Sequence, residues 1–312
     1  MKILHLDENH PFLLSGLLAD GHTCLEAYEL SREEILQELS DCDGLVLRSR
    51  TPVDKELIDA AQKLKFVARV GSGMENIDVP YAESKGIVCI HTPEGLCDAV
   101  AEHALGMLLA LLNNICRANR EVRSGLWRRA ENRGTEIGGQ TIGIIGYGHT
   151  GKAFSRVMSG LGAKILAYDK YIYGFGNGQV KESSMEEIFA KADIVSLHIP
   201  QNEETLQMVN SRFLDSFARP IILINTSRGK IVSLDDLVEA MKNGQVTGAC
   251  LDVLEYENSS FANLFDGDIP ETFAYLSRHD RVIMTPHVAG WSHQSKEKMA
   301  RIIVDKIRAQ FP

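Results

Sequence analysis

The sequence predicts an α/β fold with two domains, each built on a doubly wound parallel sheet. The chain has 312 residues, which is about twice the usual length of one domain. Short apolar runs alternate with helical stretches along most of the chain, and this alternation is typical of a parallel sheet with helices on both faces. A glycine-rich turn joins one apolar run to the helix that follows it, as in nucleotide-binding sheets.

The apolar runs and the helical periodicity locate the individual elements. Strands are predicted at 2–6, 44–47, 66–70, 87–90, 141–145, 164–168, 194–197, 221–224, 248–251 and 281–284. Helices are predicted at 98–124, 152–161, 184–191, 234–243, 271–277 and 293–310. The helix at 98–124 separates the first four strands from the last six, so it divides the chain into its domains. The segment 257–280 is predicted to be a long loop around a short helix, and such loops are often functional.

Composition excludes several classes of protein. Hydrophobic residues make up 44% of the chain and charged residues 24%, which argues against disorder. The formal net charge of −9 argues against a nucleic acid or an anionic membrane as partner. The longest uninterrupted apolar run, 104–112, is about half the ~18 residues of a membrane span, and the acidic N-terminal segment is unlike a secretory signal. The six cysteines form no CxxC pair, so we expect no metal site and a reducing compartment.

The glycine-rich turn has the features of a dinucleotide-binding loop. Gly146 permits the tight turn, Gly148 lets the backbone approach a pyrophosphate, and Gly151 lets helix and strand pack closely. The helix begins at this point, so the backbone of His149 and Thr150 is predicted to bind the pyrophosphate as well.

The residue after the next strand bears on the choice of cofactor. Asp169 lies 18 residues beyond Gly151, where a carboxylate binds the ribose hydroxyls of NAD and repels the 2′-phosphate of NADP. NAD is therefore the predicted cofactor. The neighbouring Lys170 leaves some use of NADP open.

Six segments follow one another along the chain: LVLRSRTPVDKELIDAAQKLKFVARVGSGMENIDV, DAVAEHALGMLLALLNN, GYGHTG, NTSRG, LDVLEYE and TPHVAG. In this order they resemble the D-isomer-specific 2-hydroxyacid dehydrogenases, and the first domain is most similar to phosphoglycerate dehydrogenases. The resemblance implies two Rossmann-like domains with the cofactor cleft between them. Residues 1–98 with 291–312 would form the substrate-binding domain, and 99–290 the NAD-binding domain. It also implies a cytoplasmic homodimer joined through the long helix and the arm at 117–133.

Three residues are candidates for catalysis. Arg228 follows the strand at 221–224, and its guanidinium can bind a carboxylate with two hydrogen bonds. His287 follows the last strand, and an imidazole can give and take a proton near neutral pH. The resemblance implies that His287 is the proton donor and that Glu257 orients it, although a register shift of two would substitute Glu255. It also completes the cofactor-binding set with Thr226, Ser227, Asp252, Ala289 and Gly290.

The first domain carries the candidate substrate site. Arg48, Arg50 and Arg69 can hold a phosphate, or they can brace the edge of the domain. The turn formed by Gly71, Ser72 and Gly73 can form a nest of N–H groups for a carboxylate.

The resemblance favours oxidation of 3-phosphoglycerate to 3-phosphohydroxypyruvate, a step of serine biosynthesis. Because the chain ends at Pro312, we expect no C-terminal regulatory domain and no serine feedback through one. The alternatives are another D-2-hydroxyacid dehydrogenase of the glyoxylate or hydroxypyruvate type, and a non-enzymatic NAD sensor similar to corepressors of this fold. A formate- or phosphite-type dehydrogenase is a third option. Formate dehydrogenases have glutamine at the position of Glu257, which argues against formate as the substrate.

Overall fold

A computed structural model describes residues 1–257 and 268–311. The chain divides into two compact units, Met1–Leu96 with Trp291–Pro312, and Cys97–Gly290. The described strands are β1 (Lys2–His5), β2 (Thr23–Glu26), β3 (Gly44–Leu47), β4 (Phe66–Arg69), β5 (Val88–Ile90), β6 (Thr141–Ile145), β7 (Lys164–Tyr168), β8 (Val180–Glu182), β9 (Ile194–Leu197), β10 (Ile221–Asn225), β11 (Val246–Leu251) and β12 (Val282–Met284). The described α-helices are α1 (Pro11–Ala19), α2 (Arg32–Leu39), α3 (Lys55–Ala60), α4 (Val79–Ser84), α5 (Pro93–Leu112), α6 (Ile115–Arg123), α7 (His149–Ser159), α8 (Met185–Lys191), α9 (Ser211–Asp215), α10 (Leu234–Lys242), α11 (Glu271–Arg278) and α12 (His293–Gln310).

The first unit is a five-stranded parallel sheet with the order β2-β1-β3-β4-β5. The strand order reverses between β1 and β3, and ligands of open α/β sheets bind beyond the carboxyl ends of strands at such a point. Asp7 and Arg48 follow these two strands. Helix α12 contributes apolar side chains, among them Met299 and Ile303, to the core that contains Phe66.

The second unit is a seven-stranded parallel sheet with the order β12-β11-β10-β9-β6-β7-β8. Its order reverses between β6 and β9, which are paired in parallel. The glycine-rich turn follows β6, so it lies at the carboxyl edge of the sheet where a nucleotide is expected. The α/β class and the parallel sheets are thus confirmed.

Some predicted elements were wrong or missing. The sequence prediction overlooked β2 and β8, because each is short and neither forms an uninterrupted apolar run. The single helix predicted at 98–124 is two helices, α5 and α6. Asn114 between them has a φ of 53°, a left-handed conformation that ends a helix. Helix α5 also begins earlier, at Pro93, because proline is favoured in the first helical turn.

Helix α5 is, by length and composition, able to cross a membrane, with a mean hydropathy of 1.5 over its most apolar 18 residues. The sequence analysis did not identify this helix as a candidate span, because it counted uninterrupted apolar residues and a few acidic residues lie among the apolar ones in α5. A helix in the core of a globular unit passes the same test. Ala104, Leu108 and Leu111 pack into the core of the second unit with Ile142 and Phe154.

Candidate active site

The three glycines after β6 differ in what surrounds them. Gly146 has a φ of 94°, and a Cβ there would lie 2.3 Å from the carbonyl oxygen of His198. At Gly151 a Cβ would lie 2.1 Å from the carbonyl oxygen of Gly146. Around Gly148, in contrast, a Cβ would meet nothing within 4 Å. The fold therefore requires the first and third glycines, whereas the second borders open space that a ligand can approach.

Helix α7 begins at this open space. Gly148 is its N-cap and supplies no side-chain hydrogen bond to the helix, and His149 and Thr150 are its first two residues. The first N–H groups of a helix have no intrahelical partners, and its N-terminus carries partial positive charge. This end of α7 therefore suits a pyrophosphate.

Asp169 is fixed beside the glycine loop. Its Oδ2 accepts a hydrogen bond from the backbone N–H of Tyr147 at 2.7 Å. Its Oδ1 accepts from the N–H groups of Tyr171 and Ile172 at 2.9 and 3.0 Å. A carboxylate has about four lone-pair sites, so these contacts position it and leave acceptor capacity for a ribose hydroxyl.

Lys170, next to this carboxylate, is held elsewhere. Its Nζ lies 2.7 Å from Oε2 of Glu204, to which the hydroxyl of Tyr171 also donates at 2.6 Å. The ammonium group of Lys170, on which the possible use of NADP depended, is thus paired with the carboxylate of Glu204.

Arg228 lies in a tightly bonded turn after β10. The side-chain amide of Asn225 donates to the carbonyl of Arg228 at 3.0 Å, and a guanidinium nitrogen of Arg228 donates to the carbonyl of Ser227 at 2.7 Å. The hydroxyl of Ser227 donates to the carbonyl of Leu197 at 2.6 Å, which ties the turn to the end of β9. Among the described residues, Thr226 Oγ1 is buried without a hydrogen-bond partner, so it can serve a bound ligand.

His287 and Glu257 form a direct pair. Nδ1 of His287 lies 2.7 Å from Oε2 of Glu257, and both side chains are mostly buried. The other carboxylate oxygen, Oε1, accepts a hydrogen bond from the backbone N–H of Leu254 at 2.5 Å. The fold therefore pairs Glu257, and not Glu255, with the imidazole, and it directs Nδ1 toward the protein.

Asp252 holds the turn that carries His287. It is 1% exposed, and its Oδ1 accepts from the hydroxyl of Thr285 at 2.5 Å and from Val288 N–H at 2.9 Å. Its Oδ2 accepts from Ala289 N–H at 2.8 Å. His287 has a φ of 53°, an unusual conformation for a residue other than glycine, and these bonds constrain the chain around it.

The predicted cofactor residues Asp252 and Ala289 are thus bonded to each other, and contact of either one with NAD stays a prediction. Sequence reasoning also missed Thr285, whose hydroxyl lies 3.0 Å from Nε2 of His103. Thr285 begins the TPHVAG segment, but its contact with His103 joins segments far apart in the chain, so the sequence did not reveal this contact.

His198, at the end of β9, is neutral at physiological pH. Burial lowers the pKa of His198 to about 3. Its Nε2 lies 2.9 Å from the hydroxyl of Ser196, and its ring packs against Phe154. Its carbonyl is the group that excludes a side chain at Gly146, so its role in this structure is to shape the glycine loop.

In the first unit, the three candidate arginines have different surroundings. Arg50 donates to the carbonyls of Leu6 and Ala27 at 2.8 and 3.2 Å, so it braces the strand ends. These contacts match the alternative that Arg50 braces the edge of the domain, and phosphate binding by Arg50 stays a prediction. Arg69 donates from Nε to the carbonyl of Arg48 at 3.1 Å and lies along Gly71.

Arg48 is the arginine of these three whose side chain makes no hydrogen bond or salt bridge with a described residue. Its guanidinium lies 4.7 Å from the ring centre of Trp291, and burial lowers the pKa of Arg48 from its ordinary value. A half-buried cation without a direct anionic partner is a candidate ligand-binding group.

The turn after β4 differs from the predicted nest. The N–H of Gly71 donates to the hydroxyl of Thr92 at 3.1 Å, so it is already engaged. The carbonyl of Ser72 accepts from Nδ1 of His91 at 2.7 Å. Gly71 and Gly73 both lack a positive φ, which an alternating right- and left-handed nest requires. Thr92 thus already engages one of the donors proposed for a carboxylate, and carboxylate binding by this turn stays a prediction.

A family model for the NAD-binding domain of D-isomer-specific 2-hydroxyacid dehydrogenases matches residues 105–289. The match includes the glycine loop, Arg228 and the Glu257–His287 pair. The chain belongs to this family. The domain's cofactor is NAD, as predicted, and the glycine loop and the start of α7 fit its pyrophosphate.

Two of the sequence relatives in this family carry different names. A D-3-phosphoglycerate dehydrogenase from Synechocystis is 35% identical over 281 residues, covering 89% of this chain and 49% of the relative. A glyoxylate reductase from Thermofilum pendens is 34% identical over 279 residues, covering 87% of this chain and 79% of the relative. The chain thus spans about half the length of the phosphoglycerate dehydrogenase.

Solved structures of the family share the fold. A D-lactate dehydrogenase from Aquifex aeolicus, solved with NAD and lactic acid, aligns with a TM-score of 0.83 and 26% identity. The alignment covers 99% of this chain and 96% of that one. Both the sequence and the fold comparisons therefore agree on the family.

Proposed function

We propose that the protein is an NAD-dependent oxidoreductase that interconverts a D-2-hydroxy acid and its 2-keto acid. The observation that carries this proposal is the Glu257–His287 pair, with its 2.7 Å contact between Oε2 and Nδ1. Hydride transfer to a carbonyl requires a proton for the new alkoxide, and a histidine held by a carboxylate supplies one.

Each residue of the proposed site has one task. Bound NAD supplies or accepts the hydride. The Glu257 carboxylate holds Nδ1, so the proton moves at Nε2 of His287. Arg228 binds the substrate carboxylate and polarises the carbonyl, which a guanidinium does with two parallel hydrogen bonds. Thr226, Ser227 and Gly290 would contact NAD, together with the helix start at His149 and Thr150.

The preferred substrate pair is 3-phosphoglycerate and 3-phosphohydroxypyruvate, which would place the enzyme in serine biosynthesis. The half-buried Arg48 supports a phosphate ligand, because its guanidinium makes no hydrogen bond or salt bridge with the described residues. A glyoxylate or hydroxypyruvate substrate is the second candidate, favoured by the relative named glyoxylate reductase.

The proposed assembly is a cytoplasmic homodimer. Ile115, Val122, Leu126 and Trp127 are exposed apolar residues on α6 and the segment after it, and Trp127 is 78% exposed. A second copy of the chain would cover this surface. The six cysteines, all of them within the described residues, form no disulfide, which agrees with a reducing compartment.

The test is an NADH oxidation assay with 3-phosphohydroxypyruvate, hydroxypyruvate, glyoxylate and pyruvate. We expect turnover, and His287→Ala should lower kcat by roughly 10²–10⁴ with an unchanged Kd for NADH. Faster reduction of glyoxylate or pyruvate than of the phosphorylated acid would exclude the serine-pathway assignment. NADH binding without turnover of any of these acids would instead favour the sensor.

A further inference from the structure

The side chain of Trp291 is an exposed aromatic group associated with two cations. The indole is 60% exposed although tryptophan is largely apolar. The Arg48 guanidinium carbon lies 4.7 Å from its ring centre, and Nζ of Lys296 lies 5.3 Å from it. Both distances are within the range of a cation–π interaction.

The two cations have no direct carboxylate partner among the described residues. Asp7 is the acidic group whose charge acts on Arg48, but its carboxylate contacts the backbone N–H of Arg48 at 2.6 Å. The same carboxylate lies 3.8 Å from Nε of Arg50, which shares its charge. In a chain of net charge −9, two cations at one indole form a local site of opposite sign that attracts a small anion.

The contact with Trp291 leaves the hydrogen-bond donors of Arg48 for a ligand. The guanidinium carbon lies over the ring, and a cation–π interaction uses no hydrogen-bond acceptor. The ring therefore limits the motion of Arg48, whose five N–H donors make no hydrogen bond with the described residues. A planar guanidinium held in this way is suited to bidentate binding of a phosphate.

We propose that Trp291 is a positioning residue that holds the Arg48 guanidinium for the phosphate of an anionic substrate. The inference rests on the proposed function and makes it more specific, because it assigns the preference for a phosphorylated acid to a pair of side chains within the first unit. Arg48 touches the phosphate, and Trp291 acts through Arg48.

Binding is tested without turnover. The chain has two tryptophans, so Trp127→Phe leaves Trp291 as the single indole fluorophore. In this background, 3-phosphoglycerate and inorganic phosphate should each produce a saturable change in emission. Arg48→Met should abolish that change. An emission that stays constant with both ligands, or a change that survives Arg48→Met, would overturn the proposal.

Kinetics separate positioning from a general structural role. Trp291→Ala should raise KM for 3-phosphohydroxypyruvate about three- to thirty-fold, the range of a cation–π contact, with kcat nearly constant. Trp291→Phe should recover part of the loss, and KM for hydroxypyruvate should change little. Equal losses with both acids would overturn the proposal, because they would show a defect unrelated to the phosphate.

A double-mutant cycle gives an independent decision. If Trp291 acts through Arg48, Trp291→Ala should add almost nothing once Arg48→Met is present. Additive losses would contradict the proposal while the dehydrogenase function stands. If the parent enzyme reduces none of the keto acids, the proposed function fails, and the fluorescence titration with inorganic phosphate still decides whether Arg48 binds an anion.

Discussion

Alanine substitutions at Gly148 and at Gly151 should damage different properties of the protein, although the two glycines lie three residues apart in one loop. A Cβ at Gly151 would lie 2.1 Å from the carbonyl oxygen of Gly146, whereas one at Gly148 would meet nothing within 4 Å. Gly148 also has a φ of −75° and a ψ of −153°, an extended conformation that any residue adopts. Gly151→Ala should therefore damage the fold, and Gly148→Ala should damage cofactor binding.

The magnitudes follow from these contacts. Backbone cannot move aside as a flexible side chain can, so Gly151→Ala should destabilise by at least about 1–3 kcal/mol, the usual cost of overpacking. For a unit of this size that corresponds to a fall in Tm of roughly 2–12 °C. Gly148→Ala should cost under about 1 kcal/mol of stability, the difference between the two residues at an N-cap.

For NADH binding, Gly148→Ala should have a larger effect than Gly151→Ala. A methyl group at Gly148 fills the space that a pyrophosphate would approach, so Kd for NADH should rise about tenfold or more, equivalent to roughly 1.4 kcal/mol. The measurements are thermal unfolding without cofactor and NADH titration by fluorescence. The two variants serve as controls for each other, because they add the same methyl group to the same loop.

Two results would refute the reasoning. If Gly148→Ala binds NADH as tightly as the parent protein, the open space beside Gly148 is not where the pyrophosphate binds. If Gly151→Ala unfolds at the parent temperature, the close approach to Gly146 does not constrain the loop.

Three further predictions concern protons and charge. Glu257→Gln removes the carboxylate that holds Nδ1 of His287, so kcat for keto-acid reduction should fall while Kd for NADH stays constant; an unchanged kcat would contradict the pairing. The parent enzyme should have a higher kcat/KM with NADH than with NADPH, and Asp169→Asn should narrow this difference, since the carboxylate repels the 2′-phosphate; equal use of both by the parent would exclude the assignment. Burial lowers the pKa of His198 to about 3, below its unfolded value of about 6.5, so the unfolded state takes up the proton first as pH falls. The free energy of unfolding should therefore decrease as the pH falls from 6.5 toward 3. His198 alone should account for a decrease of about 2 kcal/mol at pH 5. His198→Gln should reduce the loss measured by denaturant unfolding between pH 7.5 and pH 5, and an unchanged loss would show that His198 is not the cause.

The glycine spacing was informative in the sequence because its cause is local. Gly146 needs a positive φ, and the helix of Gly151 packs directly on the preceding turn. The contrast with Gly148 was visible only in three dimensions, since the oxygen that excludes a side chain at Gly146 comes from His198, 52 residues later in the chain.

The arginines after β3 and β4 show the limit of pattern reasoning. The sequence places three cations near strand ends, which predicts anion binding. The sequence does not show that Arg50 is bonded to the carbonyls of Leu6 and Ala27. Nor does it show that the guanidinium of Arg48 lies over the ring of Trp291, a residue near the other end of the chain. A side chain's availability depends on its neighbours, and those neighbours are distant in sequence.

By itself, the sequence determined the parallel α/β class, the dinucleotide loop and the order of the family's motifs, because apolar periodicity and glycine spacing are properties of short segments. Tertiary structure decided which of these residues act together. Glu257 was separated from Glu255 only by its contact with Nδ1 of His287, and Asp252 proved to hold the turn through Val288 and Ala289. Hydrogen bonds depend on distances of a few tenths of an ångström, and such distances arise only when the whole chain has folded.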